Sequence, residues 1–420
     1  MFTNLTYGEL ISHNRDFRNL LWGQVVSELG NWFNFVALLG VVRLVSGGSV
    51  EAAGILMFWR TLPFALLMGI AGPVVDRVSR KKILIITDLL RAAFALLLLF
   101  VNDSGDLWLV YFAAILSSSA SAFFDGAKNA ATPNITGKEG LLAGTALLFS
   151  SRFLLMAIGS ALGGIAAVFF GYKTAFVINS ISYLVSAFSI WLIPAGRMNE
   201  KITEEDKLRA PTKFIDDLRE GISYAMNNRF ALTILLINII WAMGGGMTFV
   251  LFEAYSKANF AGGFSADFAN STLLTASGLG LTIGMLAAHR VSAVVERTHT
   301  IREFIGITLV LHGIAFAIAA VTKNLWVAAA FVLISRLLVG SEFSLQETMF
   351  QRSLPDKIRG RISTLDRGAE VTMFSISGYA AGILLSNYST VVVGILAGLL
   401  AGSTGLVWLL RTKNDAINSV

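Results

Sequence analysis

Apolar residues along this chain come in runs too long for a strand and too continuous for one face of a soluble helix. Residues 92–101 and 391–400 are examples. About 20 apolar residues are needed to cross a bilayer's hydrocarbon as a helix. Runs of that length fall near 18–43, 53–75, 82–101, 107–125, 141–169 and 173–194. A second set falls near 230–253, 268–289, 303–322, 325–349, 363–386 and 390–411. A barrel strand would instead alternate with period two. The pattern predicts an all-α polytopic membrane protein with twelve transmembrane helices. An even number of spans puts both termini on one side.

The longest polar stretch, 195–228, follows Pro194 and contains Glu204-Glu-Asp. It ends in FIDDLREGISYAM (214–226), where apolar residues recur at helical spacing. This reads as a linker followed by an amphipathic helix lying on the membrane face. The chain therefore divides into a six-helix bundle over 1–195, a linker over 196–229 and a second six-helix bundle over 230–420. A faint repeat at an offset of 219 residues agrees: it pairs Phe124 with Phe343, Lys138 with Lys357, Thr145 with Thr364, Gly159 with Gly378 and Ala161 with Ala380. Two pseudo-symmetric halves are a recurrent transporter plan.

Composition sharpens the class. Charged residues make up 14% and hydrophobic residues 55%, against about 25% charged in a soluble domain. The net charge of +6 does not point to nucleic acid, because the basic residues sit in short clusters between apolar runs. Of the 33 Lys and Arg, 24 fall on the side holding the termini. Only Arg43, Lys173, Lys257 and Lys323 fall on the other, and five arginines lie within spans. The excess of positive charge marks the cytoplasmic side. Both termini are expected there, in a bacterial inner membrane. The polar segment 1–14 lacks a basic stretch followed by a short apolar core, so the first apolar helix is expected to be retained. Cysteine is absent, which removes disulfides and thiolate metal sites. The four histidines form no H-E-x-x-H pair, and no G-x-x-x-x-G-K-[ST] loop is present. Neither an enzyme, a metal, a cofactor nor direct ATP drive is expected.

Between spans two and three, residues 72–82 read GPVVDRVSRKK. This resembles the loop motif G-x-x-x-D-R-x-G-R-K of the major facilitator superfamily, with Ser79 where glycine is usual. The resemblance assigns Gly72, Asp76, Arg77, Arg80 and Lys81 to a gating motif. Gly72 would permit close helix packing, and the basic residues would bridge to acids on neighbouring helices. Asp125, at the end of span four, is expected to join Asp76 and Arg80, together with the start of span eleven near 361–364. NRDFRNLLWGQ (14–24), TDLLR (87–91), FFDGAKNA (123–130) and LPDKIRGRIS (354–363) are similar to the branch holding macrolide-efflux proteins and the enterobactin exporter. The resemblance spans about 14–410 and is uninformative about substrate. Span five carries GSALGG (159–164), similar to the G-P-x-x-G-G element of drug antiporters but with Ser160 in place of proline. Small residues there serve tight helix packing equally well.

Ionisable groups at membrane depth cost roughly 2.5–3.5 kcal/mol each on insertion scales, so each needs a partner or a watery cavity. Gln24, Glu28, Asn31 and Asn34 cluster on one broad face of span one. Glu28 lies about ten residues in, roughly 15 Å at helical rise, and Arg152 of span five lies at similar depth. A Glu28–Arg152 pair is therefore expected, either as a fixed structural pair or as a proton-coupling site. Asp88 and Arg91, at i and i+3, read as a same-helix structural pair. In span ten, Arg336, Gly340, Ser344, Glu347 and Gln351 fall on one stripe, with Glu342 off it. Asp366 and Glu370, one turn apart with Arg367 beside them, are candidates to share a proton or to form a gate with Arg359 and Arg361. The sequence thus predicts a proton-coupled exporter of amphiphilic organic molecules, such as a drug or siderophore, binding small-molecule substrate and protons within the lipid bilayer as a monomer. The alternatives are a relative moving a lipid, metal or nutrient, and a membrane sensor without transport.

Overall fold

The structure is a computed structural model and describes residues 5–198, 214–259 and 263–413. Fourteen α-helices are present among those residues, and no strand. They are α1 (Tyr7–His13), α2 (Arg15–Val45), α3 (Val50–Arg77), α4 (Arg80–Leu97), α5 (Leu107–Phe170), α6 (Tyr172–Trp191) and α7 (Phe214–Asn227). Then follow α8 (Arg229–Gly245), α9 (Thr248–Asn259), α10 (Gly263–Arg297), α11 (Ile301–Val321), α12 (Leu325–Ser353), α13 (Asp356–Asn387) and α14 (Thr390–Arg411). Eleven helical segments are long and apolar enough to cross a membrane, one of them the run Arg229–Asn259 that joins α8 and α9.

Local chemistry sets the boundaries. Thr6 and Glu9 form a reciprocal capping box at the start of α1, which satisfies two otherwise orphaned donors. Asn14 ends α1 and caps α2, its side chain accepting from Phe17 N at 2.9 Å. Asn228, Asn324 and Ser389 cap α8, α12 and α14 in the same way. The predicted spans at 107–125 and 141–169 both fall within α5, whose 64 residues are broken at Gly137 (φ 68°, ψ 175°). That backbone region is costly for any residue with a Cβ. The first arm of α5 runs on past residue 125 as far as this break. Residues 125–136 are therefore helical rather than loop, and Lys128, expected in a cytoplasmic loop, is buried inside the bundle.

The chain packs into two compact units, Met1–Ser46 with Pro63–Lys213, and Gly47–Leu62 with Phe214–Val420. The division falls within α3 at Pro63. That proline removes a backbone donor, and the next N–H, of Phe64, donates to Ser118 Oγ at 3.1 Å. In the first unit α2 packs on α5 and α6, and α4 on the same two helices. Gly159 and Gly163 make the α2–α5 approach possible. A Cβ at either would lie 2.9 Å from a carbonyl oxygen of α2, that of Leu29 or Phe33. In the second unit α10 packs on α12, α11 on α12 and α14, and α8 on α13 and α14. Large apolar side chains such as Leu142, Phe169, Trp191, Leu286 and Leu410 are exposed. Such a surface is stable where lipid covers it. The linker residues 199–213 lie outside the described residues. The amphipathic segment after them forms α7, and its Glu220 pairs with Arg361 of α13.

Candidate functional site

In the first unit, six charged side chains from three helices converge. Asp88 and Arg91 come from α4, Asp125 and Lys128 from the first arm of α5, Arg152 from its second arm, and Glu28 from α2. Three acids face three bases. Lys128 Nζ lies 2.9 Å from Asp125 Oδ1. Arg152 reaches two acids at once, with Nε 3.3 Å from Glu28 Oε1 and Nη1 3.5 Å from Asp125 Oδ2. Asp88 and Arg91 pair with each other. The Arg91 guanidinium also stands over two rings, 4.0 Å from the centroid of Phe124 and 4.6 Å from that of Tyr183. Tyr183 in turn donates to Asn31 of α2, and Gln24 donates to Leu148 O at 2.6 Å and Ser151 Oγ at 2.9 Å.

Each charge thus has a counter-charge, which is what burial away from water demands. The pairs differ in exposure. Arg91 and Asp88 are almost wholly buried at 4% and 0%, whereas the Arg152 side chain is 42% exposed. A buried pair locked by two aromatic faces is suited to holding the bundle together. A half-exposed guanidinium shared between two acids from different helices can exchange partners at little cost.

The gating set divides. Asp125 pairs with Lys128 and Arg152 rather than with Arg80. Arg80 instead donates to the carbonyls of Ala130 and Met198, at 3.1 and 3.3 Å. Lys81 caps the end of α6 by donating to Trp191 O and Ile193 O, both at 2.7 Å. Carbonyls at a helix C-terminus lack intrahelical partners and attract cations. Arg77 is exposed in the last turn of α3. Gly72 does not serve close packing here: it is exposed, and a Cβ would meet nothing within 4 Å. The side chain of Asp76 lies outside the described residues.

In the second unit the polar stripe of span ten breaks up. Gly340 faces α10, where a Cβ would lie 3.2 Å from Met285 N. Arg336 donates to Thr248 Oγ1 of α9 at 2.8 Å and lies 5.5 Å from the centroid of Phe316. Glu347 accepts from Gln351 at 2.6 Å, and Gln351 also donates to Ser363 of α13 at 3.0 Å. Glu370 pairs with Arg367 at 2.8 Å. Asp366 accepts from Asn238 Nδ2 through both oxygens, at 3.1 and 3.0 Å, and Asn238 accepts from Gln346 at 2.8 Å. Arg359 and Arg361 do not join these acids. Arg359 donates to Gln351 O and Leu354 O, and Arg361 pairs with Glu220.

Sequence reasoning missed Lys128, Tyr183, Asn238 and Gln346. Asn238 carried a usable signal, being a lone amide in the apolar run 231–240. Tyr183 carried none: it lies in the middle of α6, and nothing in the local pattern ties a lone aromatic in an apolar span to a charge on another helix.

Comparison with known proteins agrees with the architecture. The sequence profile of the Major Facilitator Superfamily matches residues 20–369. An uncharacterized MFS-type transporter of Bacillus subtilis, YfiS, is 25% identical over 421 residues, covering 96% of this chain and 95% of that one. Macrolide efflux protein A of Streptococcus pyogenes is 22% identical over 353 residues, covering 82% and 83%. The crystal structure of the nucleoside transporter NupG superposes with a TM-score of 0.73 at 12% identity, covering 96% of this chain and all of that one.

Proposed function

Because this chain belongs to the major facilitator superfamily, and is thus a multi-pass membrane transporter and not an enzyme, we propose that it exports amphiphilic organic molecules in exchange for protons. In this reading its substrate site opens to the two sides of the bacterial inner membrane alternately. Twelve spans result when the two arms of α5 are counted separately, with both termini cytoplasmic and the protein acting as a monomer. Export is supported by the efflux protein among its relatives and by the branch motifs at 14–24 and 354–363.

The observation that carries proton coupling is Arg152 between Glu28 and Asp125. A carboxylate that shares a cation with a second acid can be released when helices shift. The freed acid then takes up a proton, because an uncompensated charge at that depth is costly. Return of Arg152 expels the proton. Asp88, Arg91 and Lys128 hold the frame in which this exchange occurs. The motif residues Asp76, Arg77, Arg80 and Lys81 control opening on the cytoplasmic side, Arg80 through its bonds to the carbonyls of Ala130 and Met198 and Lys81 through those at the end of α6, which must be released for the bundle to change shape.

The test is flux into proteoliposomes with an imposed pH gradient. A thermal-shift screen against macrolides, siderophores and lysolipids first selects the substrates. A pH gradient is expected to drive accumulation of at least one, and a protonophore to abolish it. Accumulation of every selected compound at the same rate without a gradient would overturn proton drive.

A further inference from the structure

The second unit holds a largely apolar recess that the charge network of the first does not involve. Its walls come from α8, α11, α12, α13 and α14, and Trp241, Glu342 and Phe343 are among its lining residues. Glu342 is only 3% exposed, yet Oε1 has no hydrogen-bond partner, and no salt bridge reaches this carboxylate among the described residues. The indole Nε1 of Trp241 is also buried without an acceptor. The other polar groups of the recess are committed elsewhere. Gln346 donates to Asn238, Asn238 donates to Asp366, and Glu370 is held by Arg367. The recess therefore offers one unpaired carboxyl and one free donor, set among apolar and aromatic walls.

Buried polar groups in folded proteins are nearly always satisfied, and a lone buried carboxylate is among the most costly exceptions. A ligand can remove both faults. A divalent metal does not fit, because calcium needs six or more oxygen ligands and one free carboxylate supplies two. An organic ammonium fits each feature. Its N–H groups make charge-assisted bonds to a carboxylate. Its charge is stabilised over aromatic faces. Its carbon substituents suit the apolar walls, and an oxygen next to the amine can accept from the Trp241 indole.

We propose that this recess binds the protonated amine of an organic cation, with Glu342 as its counter-charge. The inference deepens the transport reading by naming a substrate class, and its role in transport rests on that reading. Binding is nonetheless measurable without flux. The probe is radiolabelled 2-amino-1-phenylethanol at pH 7, with purified protein in detergent and a scintillation-proximity readout. Saturable binding is expected, displaced by unlabelled amine but not by equal concentrations of 2-phenylethanol or phenylacetate. Glu342→Gln, which imitates the protonated acid and cannot supply a counter-charge, is expected to stay folded by thermal melt and to bind at least tenfold more weakly. Glu139→Gln, at an exposed acid, is expected to leave binding unchanged. Displacement by 2-phenylethanol as effective as by the amine, absence of saturable binding, or full affinity in Glu342→Gln overturns the proposal. Failure of proton-driven flux with this binding intact would count against the transport mechanism alone.

Discussion

Arg152 Nε lies 3.3 Å from Glu28 Oε1, and the two residues are 124 positions apart on helices packed through glycine. The same guanidinium reaches Asp125. Loss of Glu28 therefore leaves Arg152 with a counter-charge, and the bundle is expected to survive it. Glu28→Gln should keep substrate binding and downhill exchange but lose accumulation driven by a pH gradient. If the Glu28→Gln protein still concentrates substrate under a pH difference alone, Glu28 has no coupling role, and attention moves to Glu347, Asp366 and Glu370.

Asp88 and Arg91 behave differently, because neither has a second charged partner as close. Removing one member of a buried pair leaves an uncompensated charge and costs about 3–5 kcal/mol, whereas replacing both by apolar groups can be neutral. Asp88→Leu and Arg91→Met are each expected to lower the melting temperature sharply in detergent, and the double variant to recover most of the loss. Strictly additive losses in that cycle would show that the pair is not coupled.

Long apolar runs made most of the helices legible, because the bilayer demands both length and continuity. The Glu28–Arg152 contact was legible as well, since two unlike charges at equal depth in a costly medium need each other. What failed was anything decided by rotation about a helix axis or by a partner remote in sequence. Lys128 reads as a loop charge because it follows the apolar run by three residues. Only the continuation of α5 to Gly137 turns it back into the bundle. Arg336 and Gly340 share a stripe by spacing and both pack on α10 near the backbone, yet the Arg336 guanidinium turns away to Thr248 of α9. The Asn238–Asp366 contact joins residues 128 positions apart, with no charge complementarity to announce it.

The proposed orientation can be tested on a clean background, since the chain has no cysteine. Lys323→Cys should react with a membrane-impermeant maleimide in intact cells. Lys207→Cys and Lys138→Cys should react only after the membrane is opened. The reverse pattern would invert the topology and with it the proposed direction of export.

Glycine substitutions separate packing from motif. At Gly159 a Cβ would sit 2.8 Å from the Cβ of Trp32 and 2.9 Å from the carbonyl oxygen of Leu29, so α2 and α5 must part to admit it. Overpacking of this kind costs roughly 1–3 kcal/mol. Gly72 has open space on the same test, and a surface change of this size usually falls within about 0.5 kcal/mol either way. Gly159→Ala should therefore lower the thermal midpoint and Gly72→Ala should not. Transport distinguishes what remains. If Gly72→Ala keeps wild-type stability and flux, the motif glycine has no packing role in any state of the cycle. If it keeps stability but loses flux, Gly72 makes its close contact in a conformation other than this one, and the packing role implied by the loop motif belongs to that conformation.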